Sequence, residues 1–365
     1  MQCSSIRLSC YRKISVSLLS LLFLCVSGFS PQILAKTPKP IITASGHKVT
    51  FSDTRKRLTG LLGELGEPTW SSKELKRMSQ TVHAYLSAFS GRQYDSTLAA
   101  LQRGDRYRAM IRTKLASAKV PMAFEALPMA ESAYRFNVRS KAGAVGLWQF
   151  MPASARHYGL HVGKTLDERT DPARATDAGV KYLKFLNRKF GQTSVLLSVA
   201  AYNAGEGRIA RVIRKSGVKS KDRGYSHVLR YLPKETRGYV PEFLAAALIL
   251  KDPKHFGFPI SKQRPHRYVQ IVQPLSVKKV AEISKIPEKE VKQLNPELKK
   301  YGSTPKNNFF LRIPSEAALQ LHKNQRKTKI WKTARNPITF DSSIRKNHVA
   351  GEKSITQILY TVRKF

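Results

Sequence analysis

Glu131 is the ionisable residue whose neighbours in the sequence best suit proton-transfer chemistry. Leu127 lies four residues before it and Phe124 seven residues before it, so a helix would place all three side chains on one face. Burial against this apolar face would favour the neutral carboxyl and raise its pKa, which a general acid requires near neutral pH. Taken alone, Glu131 is better explained as a structural glutamate that hydrogen-bonds a neighbouring helix end.

Two downstream segments supply polar side chains and close backbone approach for an extended ligand. Residues 140–152 contain glycines followed by Gln149, whose amide both donates and accepts hydrogen bonds. Residues 199–207 predict an apolar helix that delivers Tyr202 and Asn203 just before a glycine. Taken singly, each segment has an ordinary structural explanation as a glycine turn, a packed aromatic residue or a helix cap.

Short motifs in a fixed order resemble the catalytic domain of the lytic transglycosylases, lysozyme-like enzymes that cleave the glycan strands of peptidoglycan. The motifs are Glu131-Ser132, Ser140, Gly-Leu-Trp-Gln-x-Met-Pro at 146–152, Ala-Tyr-Asn-Ala-Gly at 201–205 and Thr-Arg-x-Tyr-Val at 236–240. An ordered set of motifs is far more specific than one short pattern. The resemblance covers residues 123–247. It is nearest to the membrane-bound lytic murein transglycosylase D group, because a LysM-like segment follows.

The resemblance implies roles for particular residues of this chain. Glu131 is the expected catalytic residue. The others are expected to bind the substrate or to orient the acid: Ser140, Gln149, Met151, Tyr202, Asn203 and Tyr239. Ser140 would hydrogen-bond the acid or the acetamido group of the substrate, and Tyr202 would orient the same groups. Trp148 stands where methionine is common in this family, and we expect it to alter the shape of a subsite.

The motif region offers one well-placed carboxyl group, whereas most glycosidases place two at the scissile bond. The other acidic residues are expected to be caps, scaffold or solvated groups: Glu125, Asp167, Asp171, Asp177 and Glu206. The resemblance implies that Glu131 protonates the bond between N-acetylmuramic acid and N-acetylglucosamine, and that its carboxylate then deprotonates the C6 hydroxyl. The product is a 1,6-anhydro sugar, and the route requires no water, no metal and no organic cofactor.

Two other functions remain open. A hydrolytic muramidase of the goose-type lysozyme kind has the same fold and a single acid. The other is a non-catalytic protein that binds peptidoglycan, although such a protein has no need of the Glu-Ser pair within a complete set of motifs.

The strongly basic composition implies a polyanionic partner. The chain of 365 residues carries 65 Lys and Arg against 24 Asp and Glu, a net charge of +41. No nucleic acid is expected, because no helix-turn-helix, zinc-finger or RNA-binding signature stands out and the charge is spread along the chain. The stem peptides of peptidoglycan and an anionic envelope surface are equally suitable polyanionic partners.

The N-terminus has the pattern of a secretory signal, which favours an exported protein of the envelope and periplasm. Basic residues precede an uncharged, Leu-rich stretch at 14–29, and Ala35 ends an imperfect cleavage site. The longer uncharged run between Lys13 and Lys36 is also just long enough for an uncleaved membrane anchor. Lipidation of Cys25 is disfavoured, because Leu24 occupies a position where a small residue is expected. All three cysteines precede Ala35, so a cleaved protein would have no disulfide.

The hydrophobic pattern predicts a mainly α protein with a small α+β module. The predicted segments are a signal peptide (1–35), a tether (36–70), an N-terminal helical scaffold (71–115), a lysozyme-like catalytic domain (116–260), a LysM-like module (266–314) and a basic, irregular tail (315–365). Within the catalytic domain, Asp171 and Pro172 are predicted to begin a helix that ends at Gly191.

The LysM-like module is predicted from the order strand, helix, helix and strand. Strands are expected at 268–272 and 309–314, with Ser276 capping the first helix and Pro287 opening the second. The Leu-Asn-Pro run at 294–296 most resembles LysM, a fold that binds N-acetylated glycans. A structural cap on the catalytic domain is an equally suitable role for the module.

Overall fold

The computed structural model describes residues 38–44, 46–68, 70–163, 167–218, 224–259, 266–271, 275–295, 298, 309–314 and 316–317. Over these residues the chain is mainly helical with few strands, so the predicted mainly α class is confirmed. The predicted signal peptide, its cysteines and almost all of the predicted tail lie outside the described residues. Within the described part of the chain, no helix combines the length and the apolar character needed to cross a membrane.

The segment predicted to be a tether contains a helix. A short antiparallel pair, β1 (Ile41–Ile42) and β2 (Lys48–Val49), precedes helix α1 (Phe51–Glu64). Thr50 caps α1, because its hydroxyl oxygen accepts the Asp53 N–H and the Asp53 carboxylate accepts the Thr50 N–H. The tether prediction is wrong here, because buried residues at helical spacing form an apolar face among polar ones: Thr54, Leu58, Leu61 and Leu62.

Helices fill the rest of the large unit. In chain order they are α2 (Ser72–Ser90), α3 (Tyr94–Ala118), α4 (Leu127–Ser132), α5 (Pro152–His157), α6 (Pro172–Leu186), α7 (Val195–Ala204), α8 (Glu206–Lys215), α9 (Tyr225–Val228) and α10 (Lys234–Lys251). The predicted boundary between residues 115 and 116 falls inside α3, and one buried core extends from Ile41 to Phe258. The predicted scaffold and catalytic segments therefore share a core.

Tighter and wider turns join several of these helices. They are the 3₁₀ helices Met122–Ala126, Glu168–Thr170, Leu229–Tyr231 and Lys254–Phe256, and the π-helical turn Asn187–Gly191. The first of these leads into α4, so the run before Glu131 is helical, with a 3₁₀ start. The Asp171 carboxylate caps α6 and the π turn ends it at Gly191, both as predicted.

Helix α4 is the element that positions Glu131, and every one of its residues is buried. Helix α10 packs against α4 and also against α2 and α7. The rings of Phe124 and Phe243 meet between the turn before α4 and α10, with centroids 6.5 Å apart. A polar group on α4 is therefore largely removed from bulk water.

The loop between α4 and α5 folds back on itself through two isolated antiparallel bridges. Arg139 pairs with Val145, and Val145 pairs with Phe150. Gly146 has a φ of +85°, and an added Cβ there would lie 1.9 Å from the Arg169 carbonyl oxygen, so the close approach requires glycine.

Trp148 belongs to the core beneath this loop. It is 1% exposed, and its Nε1 donates a hydrogen bond to Thr176 Oγ1 at 3.1 Å. Its ring lies directly over Gly179 of α6. The expectation that Trp148 alters the shape of a subsite is therefore wrong, because the indole packs into the protein rather than lining its surface.

The C-terminal unit has the predicted order of strand, helix, helix and strand. Strands β3 (His266–Ile271) and β4 (Phe309–Pro314) pair antiparallel, and helices α11 (Val277–Ser284) and α12 (Glu288–Leu294) lie between them in sequence. Ser276 caps α11 as predicted, through a hydrogen bond from the Lys279 N–H. This unit has a small hydrophobic core of its own.

Asn295 holds the second helix of this unit against β4. Its amide nitrogen donates to the carbonyl oxygens of Val291 at 2.9 Å and of Arg312 at 2.7 Å. Its amide oxygen accepts the Arg312 N–H at 2.7 Å. The Arg312 guanidinium lies 4.8 Å from the ring centre of Tyr107 on α3, so the small unit contacts the large one there.

We predict that Gly179→Ala destabilises the protein by about 1–3 kcal/mol, because an added Cβ would lie 2.7 Å from the buried Trp148 ring. Gly60→Ala is the matched control. It lies inside α1 with no atom within 4 Å of an added Cβ, and alanine favours a helix by about 1 kcal/mol. Chemical denaturation of both variants measures the difference. Equal stability of the Gly179 variant and the wild type would contradict the close packing.

Candidate active site

Glu131 and Tyr239 form the centre of the site. Glu131 lies on α4 and is 9% exposed, so its predicted burial is confirmed. The Tyr239 hydroxyl, on α10, donates a hydrogen bond to Glu131 Oε1 at 2.5 Å. The motif at 201–205 and the motif at 236–240 thus lie on helices that meet around one carboxyl group.

The environment of Glu131 keeps its carboxyl protonated. Burial raises its pKa to about 8, against the opposing effect of the Tyr239 hydrogen bond, and the nearby Glu235 charge raises it slightly further. At pH 7 the group is therefore mostly neutral and holds a proton that it can donate. The Tyr239 hydroxyl remains in place to stabilise the carboxylate that forms after donation.

Glu242 is a second buried carboxyl that the sequence reasoning missed. It lies three residues after Tyr239 on α10, on the same side of the helix, and is 4% exposed. Burial raises its pKa to about 8, and the Glu131 charge raises it further. The expectation of a single well-placed carboxyl is therefore incomplete. The signal that could have identified Glu242 is its spacing of three residues from Tyr239, which places both side chains on one side of a helix. The apolar residues that follow favour a purely structural helix instead.

Tyr202 fixes the loop that carries Gln149. Its hydroxyl donates to the Trp148 carbonyl oxygen at 2.6 Å, and its ring packs against Tyr182 with centroids 5.4 Å apart. The Tyr182 hydroxyl in turn donates to Glu206 at 3.1 Å. The expectation that Glu206 is merely solvated is therefore wrong, because it anchors an aromatic cluster behind Tyr202.

Ser132 joins the helix of the acid to the same loop. Its hydroxyl lies 2.9 Å from the carbonyl oxygens of both Pro128 and Leu147, so it bridges α4 and the loop. Asn203 makes a comparable link, because its amide oxygen accepts the Thr236 hydroxyl at 2.8 Å and ties the end of α7 to α10.

The remaining predicted site residues lie on the loop itself. The Ser140 hydroxyl accepts the Ala144 N–H at 2.8 Å, and no hydrogen bond joins it to Glu131 among the described residues. Gln149 has a φ of +47° and donates its amide to the Gly146 carbonyl oxygen at 2.9 Å, which leaves its amide oxygen for a ligand. Met151 is half-buried at the start of α5.

Several of the other acidic residues have the structural roles expected for them. Glu125 accepts hydrogen bonds from Arg112 at 2.8 Å and from Arg108 at 3.4 Å. Asp177 pairs with Lys114 on the surface of α3 and α6. Among the described residues, neither carboxylate forms a hydrogen bond to a residue of the site.

Comparison with known families identifies two domains on this chain. Residues 109–224 match the transglycosylase SLT domain, and residues 266–330 match the LysM-like domain of lytic transglycosylase MltD. The resemblance inferred from the motifs is confirmed. Glu131 and Tyr202 lie inside the first match, whereas Tyr239 and Glu242 lie after its end.

Individual relatives cover the chain unevenly. The membrane-bound lytic murein transglycosylase D of Escherichia coli K12 is 30% identical over 266 residues, which cover 72% of this chain and 55% of that protein. The chain therefore spans about half the length of this relative. The soluble lytic murein transglycosylase of the same strain is 25% identical over 60% of this chain and 38% of that protein. The crystal structure of the 70-kDa soluble lytic transglycosylase from Escherichia coli is 22% identical over 55% of this chain and 33% of that chain, with a TM-score of 0.34.

We predict that Glu131→Gln raises the free energy of unfolding by up to about 4 kcal/mol at pH 8, and that the gain is smaller at pH 5. The folded protein retains the Glu131 proton up to a pKa of about 8, whereas the unfolded chain releases it near 4.5. The stability that the neutral acid provides is therefore complete below about 4.5 and is lost as the pH rises through about 8. Glutamine has no proton to lose.

Thermal unfolding at several pH values measures this gain. Glu64→Gln is the control, because the Glu64 carboxylate is exposed at the surface and should show no gain that grows with pH. A pH-independent difference between Glu131→Gln and the wild type would contradict the raised pKa.

Proposed function

Since the chain carries a transglycosylase SLT domain followed by the LysM-like domain of lytic transglycosylase MltD, we propose that it is a peptidoglycan lytic transglycosylase. The observation that carries the proposal is the neutral, buried Glu131 carboxyl with the Tyr239 hydroxyl bound to it. General acid–base catalysis is most effective when the catalytic pKa lies near the working pH. A pKa of about 8 allows Glu131 both to give a proton and to take one back.

The proposed reaction uses these two properties in sequence. Glu131 donates its proton to the oxygen of the bond between N-acetylmuramic acid and N-acetylglucosamine, and that bond breaks. The acetamido group of the substrate stabilises the cation at C1. The Glu131 carboxylate, held by the Tyr239 hydroxyl, then removes the proton of the C6 hydroxyl, whose oxygen bonds C1. Glu131 ends protonated as it began, and the released sugar carries a 1,6-anhydro ring.

Glu242 bears on the choice between this route and hydrolysis. A hydrolytic muramidase that inverts its substrate needs a carboxylate base to activate water. With a pKa of about 8, Glu242 is mostly neutral at pH 7 and is a poor base there. The internal C6 hydroxyl also gains from proximity, where effective molarities reach about 10⁵ M or more. Transglycosylation is therefore the favoured outcome, and hydrolysis is the second candidate.

Substrate binding is proposed for the loop between α4 and α5 and for α7. Gln149 would present its amide oxygen to the glycan, and Met151 would line the groove beside it. Ser140 would bind the acetamido group, and Asn203 would hold the turn that carries Tyr202. These roles follow from the motifs, and the fixed loop described above supports them.

We place the proposed activity in the cell envelope. The lytic murein transglycosylase D of Escherichia coli K12, which matches 72% of this chain, is called membrane-bound. The basic, Leu-rich start of this chain suits export to the periplasm or attachment to the membrane. The net charge of +41 suits binding to an anionic surface there. Peptidoglycan is the proposed partner.

We predict that Glu131→Gln lowers the rate of glycan cleavage by about 10²–10⁴-fold or more, because the amide keeps the size and the Tyr239 contact but transfers no proton. Glu125→Gln is the matched control and should retain most of the activity at temperatures where it is folded, since Glu125 pairs with arginines outside the site. Release of soluble sugars from purified sacculi measures both. Wild-type rates in the Glu131 variant would refute the site.

We predict that the soluble products end in 1,6-anhydro-N-acetylmuramic acid. Such ends resist borohydride reduction and are one water lighter than hydrolytic ends, because the C6 hydroxyl has replaced water as nucleophile. Mass spectrometry of the released sugars distinguishes the two. Only reducible, hydrated products would establish hydrolysis, and no product from folded protein would favour a binding protein.

We predict that a chain ending at residue 265 keeps the cleavage chemistry but binds less to insoluble peptidoglycan. The reason is that the LysM-like unit has its own core and is removed intact. Pull-down at increasing salt separates its contribution from that of charge, whose reach is about 8 Å at physiological ionic strength. Equal binding by both chains at every salt concentration would exclude the unit from the function.

A further inference from the structure

Glu242 is a buried carboxyl group that takes no part in the proton transfers proposed above. It lies on α10 and is 4% exposed. No hydrogen bond from a described residue reaches its carboxyl group, whereas Glu131 accepts one from the Tyr239 hydroxyl. A carboxyl group that is buried without a partner costs the folded state stability. Its presence next to the site therefore points to a function.

The helical spacing of α10 places Glu242 beside the acid. Tyr239 lies three residues before Glu242, so the two side chains project from one side of the helix. The Tyr239 hydroxyl is 2.5 Å from Glu131 Oε1, and α10 packs against α4, which carries Glu131. After burial, the charge of Glu131 is the cause that raises the pKa of Glu242. The two carboxyl groups therefore lie within electrostatic reach of each other.

Tyr85 of α2 covers another side of Glu242. An added Cβ on Gly238 would lie 3.2 Å from the Tyr85 hydroxyl, and Gly238 lies one helical turn before Glu242. Burial and then the charge of Glu242 raise the pKa of Tyr85 well above its ordinary value. The phenol is therefore neutral at neutral pH, and α2 brings no positive charge to Glu242 from this side chain.

The ionisable groups that interact with the two carboxyls are acids or phenols in the described part of the chain. They are Glu235 and Tyr239 on α10, Tyr202 on α7 and Tyr85 on α2. None of them offsets a negative charge on Glu131 or Glu242.

Charged groups on the other elements around α10 bind elsewhere. Arg57 of α1 and Arg108 of α3 reach only the end of α10, at the Asp252 carboxylate and the Leu250 carbonyl oxygen. Glu125, in the turn before α4, is held by Arg112.

Two neighbouring buried carboxyl groups lose their protons in two separate steps. Two like charges at close range in a site with little water are costly, so the second proton leaves the pair at higher pH than the first. After the first step, a single negative charge is shared between the two groups. The molecules that carry this charge on Glu242 still hold the Glu131 proton.

We propose that Glu242 is a positioning residue that holds a second proton beside Glu131 and thereby keeps the catalytic acid protonated at alkaline pH. The inference rests on the proposed function, in which Glu131 must carry a proton before the glycosidic bond breaks. Glu242 transfers no proton to the substrate and acts only through Glu131. It sets the upper end of the pH range over which the enzyme cleaves glycan.

The first test compares the pH dependence of sugar release by the full-length wild type and by Glu242→Gln, at limiting concentrations of sacculi. The amide matches the carboxyl in size and carries no charge, so the rate near pH 6 should change little. We expect the alkaline limb to shift to lower pH by about 0.5 unit or more, which is half of the coupling that defines an interacting pair.

Glu64→Gln is the matched control for this test. It removes an exposed carboxylate that pairs with Lys251 at the end of the same helix, so its pH profile should match that of the wild type. An alkaline limb of Glu242→Gln that coincides with that of the wild type would overturn the inference. A lower rate at every pH with an unmoved limb would overturn it as well, because that result indicates only a structural role.

A second test follows the two protons without catalysis. Glutamate labelled with ¹³C at the side-chain carboxyl is titrated by NMR in the wild type, in Glu242→Gln and in Glu131→Gln, and each variant identifies the signal that it removes. We expect Glu131 to titrate at lower pH in Glu242→Gln, and Glu242 at lower pH in Glu131→Gln, because the coupling between two sites is reciprocal. Unchanged midpoints in both variants would overturn the inference. Reciprocal shifts in a folded wild type that releases no sugar would support the coupled pair and refute the proposed activity.

Discussion

The burial of the Glu131 carboxyl is the constraint on which the rest of the site depends. A short helix whose residues are all buried carries this group, and burial raises its pKa to about 8. Low dielectric disfavours the charged form, so the protein must keep water away from α4 on every side that a substrate does not occupy. Helix α10 covers one of these sides and brings Tyr239 and Glu242 with it. The enclosure that holds the proton therefore also supplies its hydrogen-bond partner.

The irregular loop next to the acid depends on side chains for its hydrogen bonds, because its buried backbone carbonyl groups lie outside any regular helix or sheet. Side chains from three elements donate hydrogen bonds to these carbonyl oxygens. Ser132 binds the Leu147 carbonyl, Tyr202 binds the Trp148 carbonyl, and Arg169 binds the carbonyl oxygen of Phe150. Consecutive parts of the loop are thus held from α4, from α7 and from the segment before α6. A ligand that lies along this loop meets a surface whose shape is set before it arrives.

Local signals explain which parts of the structure the sequence predicted. The Asp171 and Ser276 caps and the strand, helix, helix, strand order of the C-terminal unit all depend on residues near one another in the chain. The errors have a different origin. Helix α1 was missed because its apolar face is diluted by Lys, Arg, Thr and Gly, and Trp148 was misplaced because only Gly179, far away in sequence, makes room for it. Glu242 was passed over because its nearness to Glu131 arises from the packing of α10 on α4.

The N-terminal helices have a purpose in this arrangement although they precede the matched SLT domain at 109–224. Helix α10, which carries two groups of the site, is apolar over most of its length and packs against both α1 and α2. Arg57 of α1 also forms an ion pair with Asp252 at the end of α10, at 3.1 Å. Two buried acids cost the folded state stability, and an incompletely covered α10 would admit water to both of them. The helices that lie outside the matched domain therefore help to exclude water from the buried Glu131 and Glu242 carboxyls, because they pack against α10.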